Sequence, residues 1–146
     1  MRIAVSDLLF PGCRKFGVRP LSTEYGIEFF YEFGHDYYWD EETAAWGNRE
    51  FSIHGPCVAV DLADKDNLNY LPAFEATFKY AQKIKSQFVV VHTNECLPAD
   101  LKAGQELVIS RLAELLDMAK AYGVTLVIEN VGLRTKGNVL FTLEEY

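Results

Sequence analysis

Val124-Thr125-Leu126-Val127-Ile128-Glu129-Asn130 is the stretch whose reading decides the fold. It is an apolar run too short for a helix and rich in β-branched residues, so it reads as a buried strand. It ends in a carboxylate and an amide rather than in ordinary turn residues. An acidic side chain at the carboxyl end of a parallel strand is where α/β proteins place their chemistry. Two earlier strand-like runs, Glu50–His54 and Gln87–His92, end in histidines. The expectation is that His54, His92 and Glu129 converge on one metal ion.

Outward from that stretch, strand and helix signals alternate. Ile3–Ser6 is a short first strand, and Pro11-Gly12 marks a loop before a weak helical stretch over Lys15–Ser22. Tyr25–Tyr31 is the second strand, and the aromatic-rich segment Tyr37–Asn48 is a candidate helix. After Glu50–His54 comes the polar loop Asp61–Asp66, which carries several candidate N-caps. Leu68, Leu71, Phe74, Phe78, Ala81 and Ile84 recur at steps of three and four, the spacing of one buried helical face. In the fourth strand, Phe88-Val89-Val90-Val91 lacks polar alternation and reads as covered on both sides. Val108, Leu112, Leu115, Ala119 and Tyr122 define a second clear helix, with Gly123 where a left-handed cap belongs. About five strand–helix alternations imply an α/β fold with parallel strands. Periodicity does not choose between an open doubly wound sheet and a (β/α)₈ barrel.

Composition narrows the function classes. The 146 residues are enough for one domain with a real core, and 49% of them are hydrophobic. A formal charge of -7 argues against affinity built on neutralising a phosphate backbone. Three scattered cysteines, Cys13, Cys57 and Cys96, do not resemble a disulfide framework and fit a reducing cytoplasm. No apolar run approaches the roughly 20 residues of a membrane-spanning helix. Thr142-Leu143-Glu144-Glu145 reads as a capping box. The expectation is therefore that residues 1–146 are a single domain cut from a longer protein.

Side chains alternate faces along a strand. His54 shares its face with Ser52, His92 with Val90, and Glu129 with Val127. Two imidazoles and a carboxylate suit a divalent ion, without choosing among zinc, manganese, magnesium, cobalt and iron. Each histidine taken alone is more simply a hydrogen-bonded structural residue. Glu129 is the stronger signal, because an acid is costly to bury unless paired or metal-bound. His54-x-x-Cys57 and His92-x-x-x-Cys96 together imitate a zinc set, but the gaps are filled by ordinary loops. No glycine-rich phosphate loop appears.

Gly-Ile-Glu-Phe-Phe at 26–30, Ser-Ile-His-Gly-Pro at 52–56, Val-Val-Val-His-Thr-Asn at 89–94 and Val-Ile-Glu-Asn at 127–130 resemble the xylose-isomerase-like barrel superfamily. That group includes sugar and sugar-phosphate isomerases and epimerases, and endonuclease IV. The resemblance covers the chain as the first five βα units of eight. It implies a partial (β/α)₈ barrel with a divalent metal at its mouth. Glu129 matches the fifth-strand glutamate that binds metal and can serve as the catalytic group in proton transfer in the isomerases and epimerases. His54, His92 and Glu129 match three zinc ligands of endonuclease IV, while Ala4-Val5-Ser6-Asp7 lacks that enzyme's first-strand histidine. Glu32 is a candidate substrate contact. Asn94 and Asn130 are candidate donors to sugar hydroxyls, with loop solvation an equal rival.

The expected function is metal-dependent isomerisation or epimerisation of a sugar or sugar phosphate, by proton transfer next to a carbonyl. Residues 1–146 alone are expected to be inactive, because the partner base would lie on the eighth strand. The runner-up is a zinc-dependent nuclease acting on abasic DNA, which the acidic charge disfavours. A third reading is a non-catalytic fragment that forms a homo-oligomer through exposed sheet edges.

Overall fold

The computed structural model describes residues 3–6, 22–32, 36–131 and 138–142. The weak helix at 15–22 and the capping box at 142–145 lie outside these, apart from their end residues Ser22 and Thr142. Cys13, His35, Arg134 and Lys136 lie outside them too. The elements follow in the order β1 (Ala4–Ser6), β2 (Gly26–Phe30), α1 (Asp36–Trp46), β3 (Phe51–His54), α2 (Tyr70–Ile84), β4 (Phe88–His92), α3 (Leu101–Tyr122) and β5 (Thr125–Glu129). Among the described residues, no helix is long and apolar enough to cross a membrane.

All neighbouring strands are parallel, and the sheet runs β1-β2-β3-β4-β5. A doubly wound sheet reverses its strand order at a switch point. This sheet keeps chain order from one edge to the other, as the wall of a (β/α)₈ barrel does. The choice left open by periodicity is settled by that order: the described chain is a partial barrel.

One face of the wall carries the core. Ile27, Phe29, Ile53, Val89 and Val91 are 0–1% exposed. They pack with Phe74, Phe78 and Ala81 of α2 and with Val108, Leu115 and Ala119 of α3. Each buried phenylalanine or leucine contributes about 1.5–3 kcal/mol relative to exposure. Phe29 also stacks near Trp39 and Trp46 of α1, with ring centroids 4.6 and 5.9 Å away. The aromatic segment therefore closes the core through Trp39 and Trp46, while Tyr37 is exposed.

Three local expectations change. The Phe88–Val91 run is covered on one side only: Val89 and Val91 are buried, whereas Phe88 is 45% exposed. The fifth strand, read as buried, leaves Val127 and Ile128 41–43% exposed because β5 is the outer strand of the described sheet. Helix α2 begins at Tyr70, so Leu68 lies before it and is exposed. The acids before α2 do not cap it. Asp61 Oδ1 accepts from Ala63 N, and Asp64 Oδ1 accepts from Asp66 N, which closes Asx turns. Helix α3 ends as expected at Gly123, and Asp100 caps its start. Asp100 accepts from Ala103 N, and Gly123 takes φ 70°.

The long β3–α2 loop is held from the next helix. Arg111 of α3, 4% exposed, donates to the carbonyls of Asp61, Leu62, Asp64 and Lys65 at 2.7–3.3 Å. Its guanidinium also lies over the Tyr70 ring. These contacts fix the loop that follows His54.

Candidate metal centre

Strands β3, β4 and β5 each end in a polar residue of the inner face. In the register, His54 lies opposite Val90, and His92 opposite Glu129. His92 is thus the diagonal neighbour of His54, within reach of a long side chain. The two imidazoles meet edge to face, with their Nε2 atoms 2.9 Å apart. Glu129 Oε2 lies 3.7 Å from His54 Nε2 and 3.4 Å from His92 Nε2. The structure brings the three residues together.

Hydrogen bonds fix the tautomers. His54 Nδ1 lies 3.0 Å from the carbonyl of Gly55. His92 Nδ1 lies 2.7 Å from Glu95 Oε1. A carbonyl and a carboxylate only accept, so each Nδ1 carries a proton. In a neutral ring the Nε2 atom is then bare. Two bare lone pairs facing each other at 2.9 Å repel; a proton or a metal ion between them removes the conflict. Burial, and then the neighbouring His92, push the His54 imidazole below its ordinary value of 6.5, so the protonated solution is disfavoured at that ring. The Gly55 carbonyl, Glu129 and Glu32 act in the other direction.

The donor set fits a metal. Bonds of about 2.0–2.2 Å to nitrogen and oxygen place tetrahedral ligand atoms about 3.3–3.6 Å apart. The three edges here are 2.9, 3.4 and 3.7 Å. A carboxylate behind the imidazole, as Glu95 is behind His92, is the usual support for a metal-bound histidine. Glu95 was not singled out in the sequence; the signal was an acid three residues after a strand-terminal histidine.

Cys57 lies beside the two histidines. The ligand atoms of His54, Cys57 and His92 all lie within 4.8 Å of one another. Cys96, the other cysteine of the zinc-like spacing, is not part of this group and is exposed.

The remaining candidates have protein partners of their own. Glu32 Oε1 accepts from Cys57 N at 2.7 Å and from Val58 N at 2.8 Å, so it holds the turn after His54. Asn94 is 1% exposed; it accepts from Thr93 Oγ1 and donates to the Cys96 carbonyl. Asn130 Nδ2 donates to the Phe141 carbonyl at 2.6 Å, and its Oδ1 is buried without a protein partner among the described residues. Glu28, on the inner face of β2, has its carboxyl pushed above the usual range by burial and then by Glu129. Phe30 lies against the His54 ring at 4.9 Å.

A cleft of about 640 Å³ opens at the other end of the strands, lined by residues such as Tyr25, Arg49, Lys85 and Phe88. It holds none of the candidate site residues, and Arg49 is engaged there by the carbonyls of Ser22 and Tyr25. Barrel chemistry lies at the carboxyl ends, where the histidines are.

No family model matches the sequence, and no curated protein matches it. Solved structures do match. An AP endonuclease, family 2, from Brucella melitensis aligns with a TM-score of 0.74 and 17% identity, over 99% of this chain and 62% of that one. A D-tagatose 3-epimerase-like protein aligns at 0.70 and 20% identity, over 90% and 53%. A Thermus thermophilus protein soaked with zinc chloride aligns at 0.64 and 16% identity, over 87% and 54%. The chain has the fold of xylose-isomerase-like barrel proteins and spans about half the length of most of these chains.

Proposed function

We propose that this chain carries part of the metal centre of a divalent-metal-dependent sugar isomerase or epimerase. The observation that carries the metal centre is the His54–His92 pair, with both Nδ1 atoms committed to acceptors and both Nε2 atoms turned on each other; the isomerase reading rests on Glu129 and on the acidic surround of the pair. His54, His92 and Glu129 would hold the ion. When bound, the ion supplies Lewis-acid stabilisation of negative charge next to a carbonyl.

The chain's own residues divide the remaining work. The Gly55 carbonyl and Glu95 keep the imidazoles in the ligating tautomer. Glu129, with its side chain 53% exposed, has a carboxylate open enough to take and return a substrate proton. Phe30, packed on the His54 ring, gives the inner wall an apolar surface beside the pair. Glu32 fixes the turn and acts as a positioning residue.

The substrate favoured is a neutral polyhydroxyl compound. The charged groups acting on the pair are carboxylates: Glu129, Glu32 and Glu95. An acidic surround repels phosphate, which weighs against a sugar phosphate and more heavily against DNA. The nuclease remains the second reading, because both histidines match what the resemblance to endonuclease IV implies. A further part of the reading is that the barrel's remaining strands supply the partner base, so residues 1–146 alone turn over no sugar.

Equilibrium binding tests the choice. The zinc- or manganese-loaded chain is expected to bind a ketose weakly and saturably, and to lose that binding with chelator. Salt-dependent binding of an abasic duplex, with no ketose binding, would contradict the isomerase reading and favour the nuclease.

A further inference from the structure

The turn His54-Gly55-Pro56-Cys57 brings its last residue back beside its first. Gly55 N donates to the Val90 carbonyl at 2.9 Å, which ties the turn to β4. Cys57 N and Val58 N both donate to Glu32 Oε1, which ties the same turn to the residues just after β2. Held at both points, the Cys57 side chain is 7% exposed and its sulfur lies in the group with the two imidazoles.

We propose that Cys57 is a further ligand of this centre, making it a nitrogen–sulfur site for zinc or a similarly thiophilic ion rather than an oxygen-rich site for magnesium or manganese. The proposal rests on reading the His54–His92 pair as a metal centre. Thiolate and imidazole together suit zinc, cobalt and iron; magnesium and manganese prefer oxygen. Binding converts the thiol to a thiolate: the sulfur–metal bond forms, the S–H bond breaks, and the proton passes to solvent. Two neutral imidazoles, one thiolate and the Glu129 carboxylate then carry two negative charges, which balance a divalent ion.

The ligands also differ in how firmly they are held. His54, His92 and Cys57 are largely buried, and the turn or a carboxylate braces each of them. Glu129 is half exposed and is the ligand that an incoming substrate can displace. A four-ligand zinc site is closed, and a catalytic one keeps a position open. Release of Glu129 would open that position and free its carboxylate for proton transfer.

Cobalt(II) titration tests this directly. In the chain carrying Cys13→Ser and Cys96→Ser, Cys57 is the remaining thiol. Cobalt is expected to give visible d–d bands together with a near-ultraviolet thiolate-to-metal charge-transfer band. Adding Cys57→Ser should remove the charge-transfer band, keep the d–d bands and weaken binding. Excess magnesium should displace cobalt from neither protein. If Cys57→Ser does not fold, the charge-transfer band of the Cys57-containing protein decides the question. Tetrahedral d–d bands without that band overturn the role of Cys57 and leave the histidine centre standing. The absence of both sets of bands overturns the centre itself, and this proposal with it.

Discussion

His92 Nδ1 and Glu95 Oε1 lie 2.7 Å apart, and that contact sets the chemistry of the opposite ring nitrogen. The carboxylate only accepts, so the proton sits on Nδ1 and the lone pair sits on Nε2, where it faces His54. Loss of the negative charge in Glu95→Gln should lower zinc affinity about 10–100-fold, the usual cost of losing such support. Competition against a chromophoric chelator measures it. Unchanged affinity would mean that Glu95 does not brace a ligand.

Metal-free stability should depend on pH through His54. Its folded pKa is depressed, first by burial and then by His92. The unfolded chain therefore takes up the proton more readily. The stability associated with the neutral ring is present above the ordinary value of 6.5 and is lost as pH falls from there through the depressed folded value. Urea midpoints between about pH 8 and pH 5 should fall in wild type and fall less in His54→Gln. Equal slopes in both proteins would remove His54 as the cause.

Gly55 couples the core to the centre. A Cβ there would lie 2.7 Å from the Val90 carbonyl oxygen and 2.8 Å from Phe74 Cε1. The Val90 oxygen is strand backbone and cannot rotate aside. Gly55→Ala should cost about 1–3 kcal/mol, as overpacking does, and should weaken metal binding by displacing the turn beside His54. Denaturant unfolding together with a metal titration checks both effects. A variant with wild-type values for both would show that the turn has room the geometry denies it.

Glu32 accepts two backbone N–H groups at 2.7 and 2.8 Å. Glu32→Ala leaves both donors without this acceptor and should cost about 1–3 kcal/mol. Glu32→Gln keeps an acceptor oxygen and should cost less. Urea unfolding ranks the variants. A substrate-contact role would instead leave stability unchanged and weaken ketose binding alone.

The elements were legible where periodicity reports burial. Phe74, Phe78 and Ala81 mark the buried face of α2, and Val108, Leu112 and Leu115 that of α3. His54, His92 and Glu129 were legible because each closes a strand on the same side of its alternation. Strand order was not legible in periodicity and came only through the resemblance, because it depends on pairing between distant segments such as Ser52 with Phe88. Leu68 misled because it keeps helical spacing although the Asx turns at Asp61 and Asp64 delay the helix. The partners of Asn94 were not legible, because position after a strand does not reveal how the loop folds; its amide turns onto Thr93 and Cys96. Cys57 was set aside as half of a pair with Cys96, whereas the turn brings it alone to the imidazoles.

The sharpest test is zinc titration of the chelator-stripped chain by calorimetry, alongside His92→Ala and Glu129→Gln, with circular dichroism to verify folding. A centre at these residues predicts one zinc per chain in wild type, loss of that binding in folded His92→Ala, and weaker binding in folded Glu129→Gln. Wild-type stoichiometry and affinity in both folded variants would contradict it.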